Sequence, residues 1–325
     1  MKIAIDAREI EKAYRGGVRA LNGVSFQVGA GEIFGYLGSN GSGKTTTVRI
    51  LTTLSRPTAG RATVGGYDVI QDADSVRRMI GVTMQDAALD GHMTALQHLE
   101  FVSGLWGIER NQGRRRSGEL LETFGLAPAA RRVISSYSGG MRRRLDIATA
   151  LVAHPQVIFL DEPTTGLDPQ NRRALWGEIR ALRENGATVF LTTQYLEEAD
   201  ELADRLAVIE RGKIVACGTP HELKAASGRT VVNFRLADTR NLNALRPVIG
   251  GAPFEIGADG LVRVELHDNG VSGSSAALGL LAGFRDRGLE VIGLSVSEPT
   301  LEEAFLQLIG RPRPANTPSL VCGPR

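Results

Sequence analysis

Tyr36-Leu37-Gly38-Ser39-Asn40-Gly41-Ser42-Gly43-Lys44-Thr45-Thr46-Thr47 is the stretch that decides the fold. From Gly38 to Thr45 it is a complete G-x-x-x-x-G-K-[ST] phosphate loop. Its glycines let successive backbone N–H groups turn inward around phosphates, where a Cβ would block the approach. Residues Gly38 to Thr46 are therefore the candidate phosphate contacts. Lys44 supplies a point charge for the β- and γ-phosphates, and the Thr45 hydroxyl is placed to ligate Mg²⁺. The apolar run Ile33–Leu37 predicts a strand before the loop, and Thr45–Leu54 has helical spacing after it. A helix N-terminus then also faces the anion. The chain is expected to bind a nucleoside triphosphate.

Outward from the loop, 325 residues suffice for one large domain and a small one. An apolar content of 42 % and a charged content of 23 % are those of a globular protein. A formal net charge of +2 gives no basic field for nucleic acid, so no nucleic-acid partner is expected. The cysteines, Cys217 and Cys322, have neither metal nor redox spacing and are expected to be free thiols. Met1-Lys2-Ile3-Ala4-Ile5-Asp6 meets charge too early for a signal peptide. No run approaches the about 18 apolar residues of a membrane-spanning helix, so work at a membrane would need a partner.

Short strands are predicted at Lys2–Ile5, Val24–Val28, Gly60–Gly65 and Tyr67–Val69, and a helical pattern from about 87 to 130. Val157–Leu160, Thr188–Thr193 and Leu206–Ile209 read as buried parallel strands. From about residue 230 strands and helices alternate in a second unit, with helices at Asn241–Val248, Ser272–Arg287 and Thr300–Ile309. A βαββαβ-like arrangement follows. The expected division is 1–222, with a helical subdomain at about 87–153, then 223–310, then a proline-rich, apolar-poor tail at 311–325 expected to be disordered.

Asp161-Glu162, closing the apolar run Val157–Leu160, is the acidic partner of the loop. Asp161 would orient the Mg²⁺ shell and Glu162 would polarise an attacking water. The alternative is a pair of helix-capping carboxylates.

With Ser136-Tyr137-Ser138-Gly139-Gly140-Met141 added, the order phosphate loop, Gln85, Ser138-Gly139-Gly140, Asp161-Glu162, Gly166-Leu167-Asp168 resembles the ATP-binding subunits of ABC transporters over roughly residues 1–220. The resemblance implies an α/β fold: a P-loop ATPase with a RecA-like parallel sheet, an antiparallel β-subdomain and a helical subdomain, followed here by a small α+β domain. It implies ATP and Mg²⁺, and a head-to-tail homodimer in which Ser138, Gly139 and Gly140 of one copy cover the γ-phosphate held by the other. Tyr14, about two dozen residues before the loop, matches the aromatic that stacks on adenine, or else is a core residue. Gln85 matches the glutamine that touches Mg²⁺ and senses the membrane partner, and Asp168 the aspartate linking the two sites. Two positions depart from the common pattern. Met141 stands where Gln is usual, and Gln194 where His is usual. An amide can still donate to the γ-phosphate or position water, but it carries no proton at neutral pH. Catalysis is then expected to rest on Lys44, Glu162 and Gln194, with Glu162 bearing most of it.

Gln194, the Tyr-Ser-Gly-Gly-Met form and Glu298-Pro-Thr-Leu-Glu-Glu-Ala-Phe305 together resemble the daunorubicin/doxorubicin-resistance subunits. That group pairs with a separate multi-span permease at the cytoplasmic side of the membrane and exports hydrophobic drugs. Leu301–Phe305 can equally be a plain amphipathic helix. An importer ATPase with a regulatory C-terminal domain is the alternative. A soluble ABC ATPase is disfavoured by the single cassette and by only about fifty residues between Gln85 and Ser138.

Overall fold

The computed structural model describes residues 2–85, 88–225, 229–237, 245–249, 251–257, 260–267, 273–297, 300–310 and 322–323. The chain divides into Met1–Thr219 with Arg313–Arg325, and Pro220–Pro312.

The first unit runs β1 (Ile3–Ala13), β2 (Arg19–Gly29), β3 (Ile33–Leu37), α1 (Lys44–Leu51), β4 (Ala59–Val64), β5 (Tyr67–Asp68), α2 (Ala73–Met79), β6 (Ile80–Thr83), α3 (Ala95–Leu105), α4 (Arg110–Thr123), α5 (Gly139–Ala150), β7 (Val157–Asp161), α6 (Pro169–Glu184), β8 (Thr188–Thr193), α7 (Leu196–Leu202), β9 (Arg205–Glu210) and β10 (Lys213–Gly218). Its main sheet has the order β10-β9-β3-β8-β7-β6. β3, β6, β7, β8 and β9 are parallel, and β10 is antiparallel to β9. β3, β7 and β8 are buried along their whole length, as strands covered on both faces must be. A separate antiparallel sheet, β2-β1-β4-β5, lies against one face. Helices α3 to α6 cover the other, through Leu99, Leu120, Leu145, Trp176 and Ile179.

Aromatic rings weld the two sheets. Phe190 of β8 has Phe26, Phe34, Tyr36 and Phe159 around it, with ring centroids 5.7, 5.8, 5.4 and 5.6 Å away. Such pairs add to the apolar area that each ring already buries.

Several elements differ from the sequence-based expectations. β1 continues to Ala13, past a shift in register around Glu9, whose φ is +49°. α1 stops at Leu51, three residues early, because Thr53 adopts a φ of +66°. β10 was not expected; Arg211 and Gly212, both at positive φ, turn the chain tightly back along β9. Cys217 and Cys322 are not free thiols but a disulfide. Cys322 returns to β2, where its carbonyl accepts from the Gln27 N–H at 2.6 Å, and this brings its sulfur to β10. The expected disordered tail falls, apart from Cys322 and Gly323, outside the described residues.

The second unit contains α8 (Pro220–Ala225), β11 (Arg229–Leu236), α9 (Arg246–Ile249), β12 (Phe254–Ile256), β13 (Leu261–His267), α10 (Gly273–Asp286), β14 (Val291–Ser297) and α11 (Leu301–Gly310). Its sheet, β12-β13-β11-β14, is antiparallel throughout. Its core holds Val232, Phe234, Val264, Leu280 and Phe284. The three-residue β12 was too short to read from sequence. Of the expected helix Asn241–Val248, positions 241–244 lie outside the described residues, as do Glu298 and Pro299. α11 buries Leu301 and Ala304 and exposes Leu306, an amphipathic pattern.

Replacing Phe190 by Ala removes the hub of the aromatic cluster. The first unit is expected to lose about 3–5 kcal/mol of unfolding free energy, read from the denaturant midpoint. A loss below about 1 kcal/mol would show that the cluster repacks.

Candidate functional site

Four of the five parallel strands, β3, β6, β7 and β8, each end in a segment that carries chemistry. The phosphate loop leaves β3, Gln85 follows β6, Asp161-Glu162 closes β7, and Gln194 follows β8. The register Leu37↔Thr193 and Asp161↔Thr192 sets these ends at one level. The loop itself demands glycine. Gly43 has a φ of +115°, and a Cβ on Gly38 would stand 2.4 Å from the Ile209 carbonyl oxygen.

A cavity of about 420 Å³ opens over the loop. Tyr14, Asn40, Lys44, Thr45, Gln85 and Glu162 are among its lining residues. Lys44 is buried, donating to the Gly38 and Ser39 carbonyls at 2.8 and 3.0 Å. Its ammonium also lies 3.1 Å from Glu162 Oε1, and both side chains are only 4 % exposed.

Glu162 is held on all sides. Its Oε2 accepts from Gln85 Nε2 at 3.2 Å, Thr165 Oγ1 at 3.2 Å and Gln194 Nε2 at 3.4 Å. Its backbone takes a φ of +48°, unusual for a side-chain-bearing residue, and its N–H donates to the Thr192 carbonyl at 3.1 Å. Left-handed non-glycine residues persist where the surroundings over-determine them, and they cluster at functional sites. Asp161 is fully buried, its Oδ1 accepting from Thr192 Oγ1 at 2.5 Å. Its Oδ2 is buried with no hydrogen-bond partner among the described residues. Neither carboxylate caps a helix in this arrangement.

Tyr14 is exposed rather than in the core, with its hydroxyl 3.5 Å from Thr46 Oγ1 and the Lys12 ammonium 5.2 Å from its ring centroid. Ser138 caps α5, its hydroxyl accepting from the Met141 N–H at 3.2 Å. Asp168 caps α6, taking the Asn171 N–H at 2.9 Å and the Asn171 side-chain amide at 2.6 Å. Those bonds hold its carboxyl below the usual range. Asn171 also fills the space beside Gly140, where a Cβ would sit 3.1 Å from its Cγ. Ser138, Gly139, Gly140 and Asp168 do not line the cavity over the phosphate loop.

Sequence reasoning missed Thr165, Asn171 and Thr192. Thr165 and Asn171 sit three positions from Glu162 and Asp168, a spacing that signals turn and cap partners. Thr192 reaches Asp161 only through sheet register, which no local spacing reveals.

Among the described residues no three His, Cys, Asp or Glu side chains cluster to hold a metal unaided. No described helix is long and apolar enough to cross a membrane.

Residues 21–165 match the family described as ABC transporter. A daunorubicin resistance ATP-binding protein of Streptomyces coeruleorubidus is 43 % identical over 95 % of this chain and 97 % of its own length. A doxorubicin resistance ATP-binding protein of Mycobacterium tuberculosis is 47 % identical over 76 % of this chain and 75 % of its own. A solved dimeric ATP-binding cassette in a post-hydrolysis state with ADP and Pi superposes with a TM-score of 0.61. It is 27 % identical and covers 66 % of this chain and 98 % of that one.

Helices α5 and α6, which carry Ser138 and Asp168 at their starts, are tied by Arg144 Nε and Glu178 Oε1 at 3.1 Å. Burial outweighs Arg144 and pushes Glu178 up to about 7, against an ordinary 4.5. A raised folded value means that its stabilising contribution is complete below pH about 4.5 and is lost as pH rises through about 7. From pH 5 to 8 the melting temperature of the wild type is therefore expected to fall more steeply than that of Glu178→Gln. Parallel slopes would show that this carboxyl titrates normally.

Proposed function

This chain belongs to the ABC transporter family as an ATP-hydrolysing subunit of the drug-resistance type, and we propose that it drives export of hydrophobic drugs through a separate multi-span permease. The observation that carries the catalytic half is the Lys44–Glu162 pair beside the glycine loop, with Gln85 and Gln194 on the same carboxylate. Glu162 is the general base, oriented by three neutral donors on Oε2 and paired through Oε1 with Lys44. Lys44 is its counter-charge until a triphosphate competes for the ammonium. Oε1 is then released toward the water to be activated.

The residues fit Mg²⁺. Thr45, Asp161 and Gln85 offer hard oxygen donors, and Oδ2 of Asp161 has no hydrogen-bond partner among the described residues. A shell of so few protein ligands suits an ion that keeps its waters and substrate phosphates. When bound, it would neutralise charge on the terminal phosphate. Tyr14 offers an exposed ring to the adenine.

The remaining elements act between copies. Ser138 opens the twelve-residue helix α5, so Ser138, Gly139 and Gly140 present bare N–H groups to an anion from outside this protomer. Asp168, fixed by Asn171, stands with them. A head-to-tail homodimer is the arrangement in which these groups meet a phosphate.

A groove of about 440 Å³ supports the membrane partner. Leu54, Val82, Val102, Trp106 and Asp146 are among its lining residues; Trp106 is 42 % exposed, and Phe101 and Leu105, its neighbours in sequence, are 53 and 71 % exposed. Apolar surface of this kind marks an interaction site. The place of work is the cytoplasmic side of the membrane, where ATP is available. The relatives do not favour the importer alternative.

The Glu162→Gln chain is expected to bind Mg-ATP with wild-type affinity, to hydrolyse at least about a hundredfold more slowly and to elute as a dimer in ATP. Rapid turnover by that variant would remove Glu162 from its role. For the transport half, the chain pulled from its native membranes in mild detergent is expected to bring down a multi-span protein in equal amount. Recovery of only soluble partners would overturn the export reading.

A further inference from the structure

A buried guanidinium lies against the backbone on either side of Glu162. Arg143, on α5, is only 8 % exposed. Its Nη1 donates to the Met84 carbonyl at 2.7 Å, Nε to the Pro163 carbonyl at 2.8 Å, and Nη2 to the Asp161 carbonyl at 2.9 Å. Nη1 also meets Asp146 Oδ2 at 3.1 Å, one helical turn along. Met84 immediately precedes Gln85. Asp161 and Pro163 immediately flank Glu162. One planar group thus fixes the peptides next to both residues that share the hydrogen bond at 3.2 Å.

Only Arg carries enough donors, in a rigid fork, to hold three carbonyls and a carboxylate at once. A buried ion pair is weak evidence for stability, since desolvation opposes it, so the contacts are better explained by the geometry they impose. Burial leaves its mark on both partners, lowering Arg143 and pushing Asp146 up to about 6. Asp146 also lines the apolar groove beside Trp106. The chain of contacts therefore runs from the groove, through Asp146 and Arg143, to the backbone on either side of the hydrolytic carboxylate.

We infer that Arg143, anchored by Asp146, is a positioning residue that holds Gln85 and Glu162 in register, and that the groove acts on hydrolysis through this pair. The inference rests on reading Glu162 as the carboxylate that activates water. Arg143 itself touches no reacting atom; its effect is on the placement of groups that do.

The test uses the full chain and steady-state ATP hydrolysis. Arg143→Gln is expected to lower kcat about tenfold to a hundredfold, with KM for ATP within about twofold, because the phosphate loop does not touch Arg143. Arg143→Lys is expected not to rescue, since one ammonium cannot span three carbonyls. In Arg143→Gln combined with Gln85→Ala, the loss should be no greater than in the worse single variant. Multiplying losses, rescue by Lys, or a rise in KM at unchanged kcat would each overturn the inference.

Should Arg143→Gln not fold, Asp146→Asn keeps the size and an acceptor. Its kcat is expected to fall at least about threefold at constant KM. Amide exchange gives a second readout that needs no turnover. Exchange at 82–85 and 161–165 should quicken in Asp146→Asn while that at 38–46 stays unchanged. Unaltered exchange at 82–85 and 161–165 would sink the idea. Glu162→Gln is run alongside. Full turnover there would fail the base assignment, a result separable from the exchange pattern at Arg143.

Discussion

The parallel register of β3, β6, β7 and β8 is the constraint from which the rest of the site follows. Parallel strands all release their chains at the same edge, so four loops converge there without any long-range design of the loops themselves. The phosphate loop, Gln85, Asp161-Glu162 and Gln194 are the four products of that edge. Slipping one strand by a single residue would turn every side chain to the opposite face, moving Asp161 away from Thr192. The aromatic cluster around Phe190 acts at this level too. It joins β2, β3, β7 and β8, and so fixes the heights at which these loops begin.

Charge is concentrated where water is not. Lys44, Asp161, Glu162 and Arg143 are all buried, a costly arrangement unless every group finds a partner. Nearly all do. Lys44 has two carbonyls and Glu162, Arg143 has three carbonyls and Asp146, and Glu162 has three side-chain donors on one oxygen. The exception is informative. Among the described residues Asp161 Oδ2 is buried with no hydrogen-bond partner, as is Ser42 Oγ in the phosphate loop, and buried polar atoms left so call for an explanation.

Legibility in the sequence followed the range of the interaction. The phosphate loop, its strand and its helix could be read because their chemistry is local: glycines at positive φ, then a lysine at a fixed offset. The acidic pair after an apolar strand was equally readable. The family resemblance added the order of motifs, and with it Ser138 and Asp168. Interactions across many residues left no trace. Thr192 meets Asp161 through register alone, Arg143 reaches Met84 from another element, and Cys217 meets Cys322 across 105 positions because the chain end pairs with β2. Short elements failed for a different reason. β12 has three residues, and β10 has six and follows a tight turn at Arg211-Gly212.

Gln194 is the one departure that falls inside the site, and the geometry explains why it is tolerated. Its amide lies 3.4 Å from Glu162 Oε2, in company with Gln85 and Thr165 at 3.2 Å. All three are neutral donors, and all three meet the same oxygen. Orienting a carboxylate requires a donor at that place, not a group that titrates, so an amide serves as well as an imidazole would. The charge on the site is then set by Lys44 alone among the contacts of Glu162, and it sits on the other oxygen. The two oxygens are thereby separated in role. Oε2 is anchored by groups that never change charge, while Oε1 is held by the residue that a phosphate would most strongly attract.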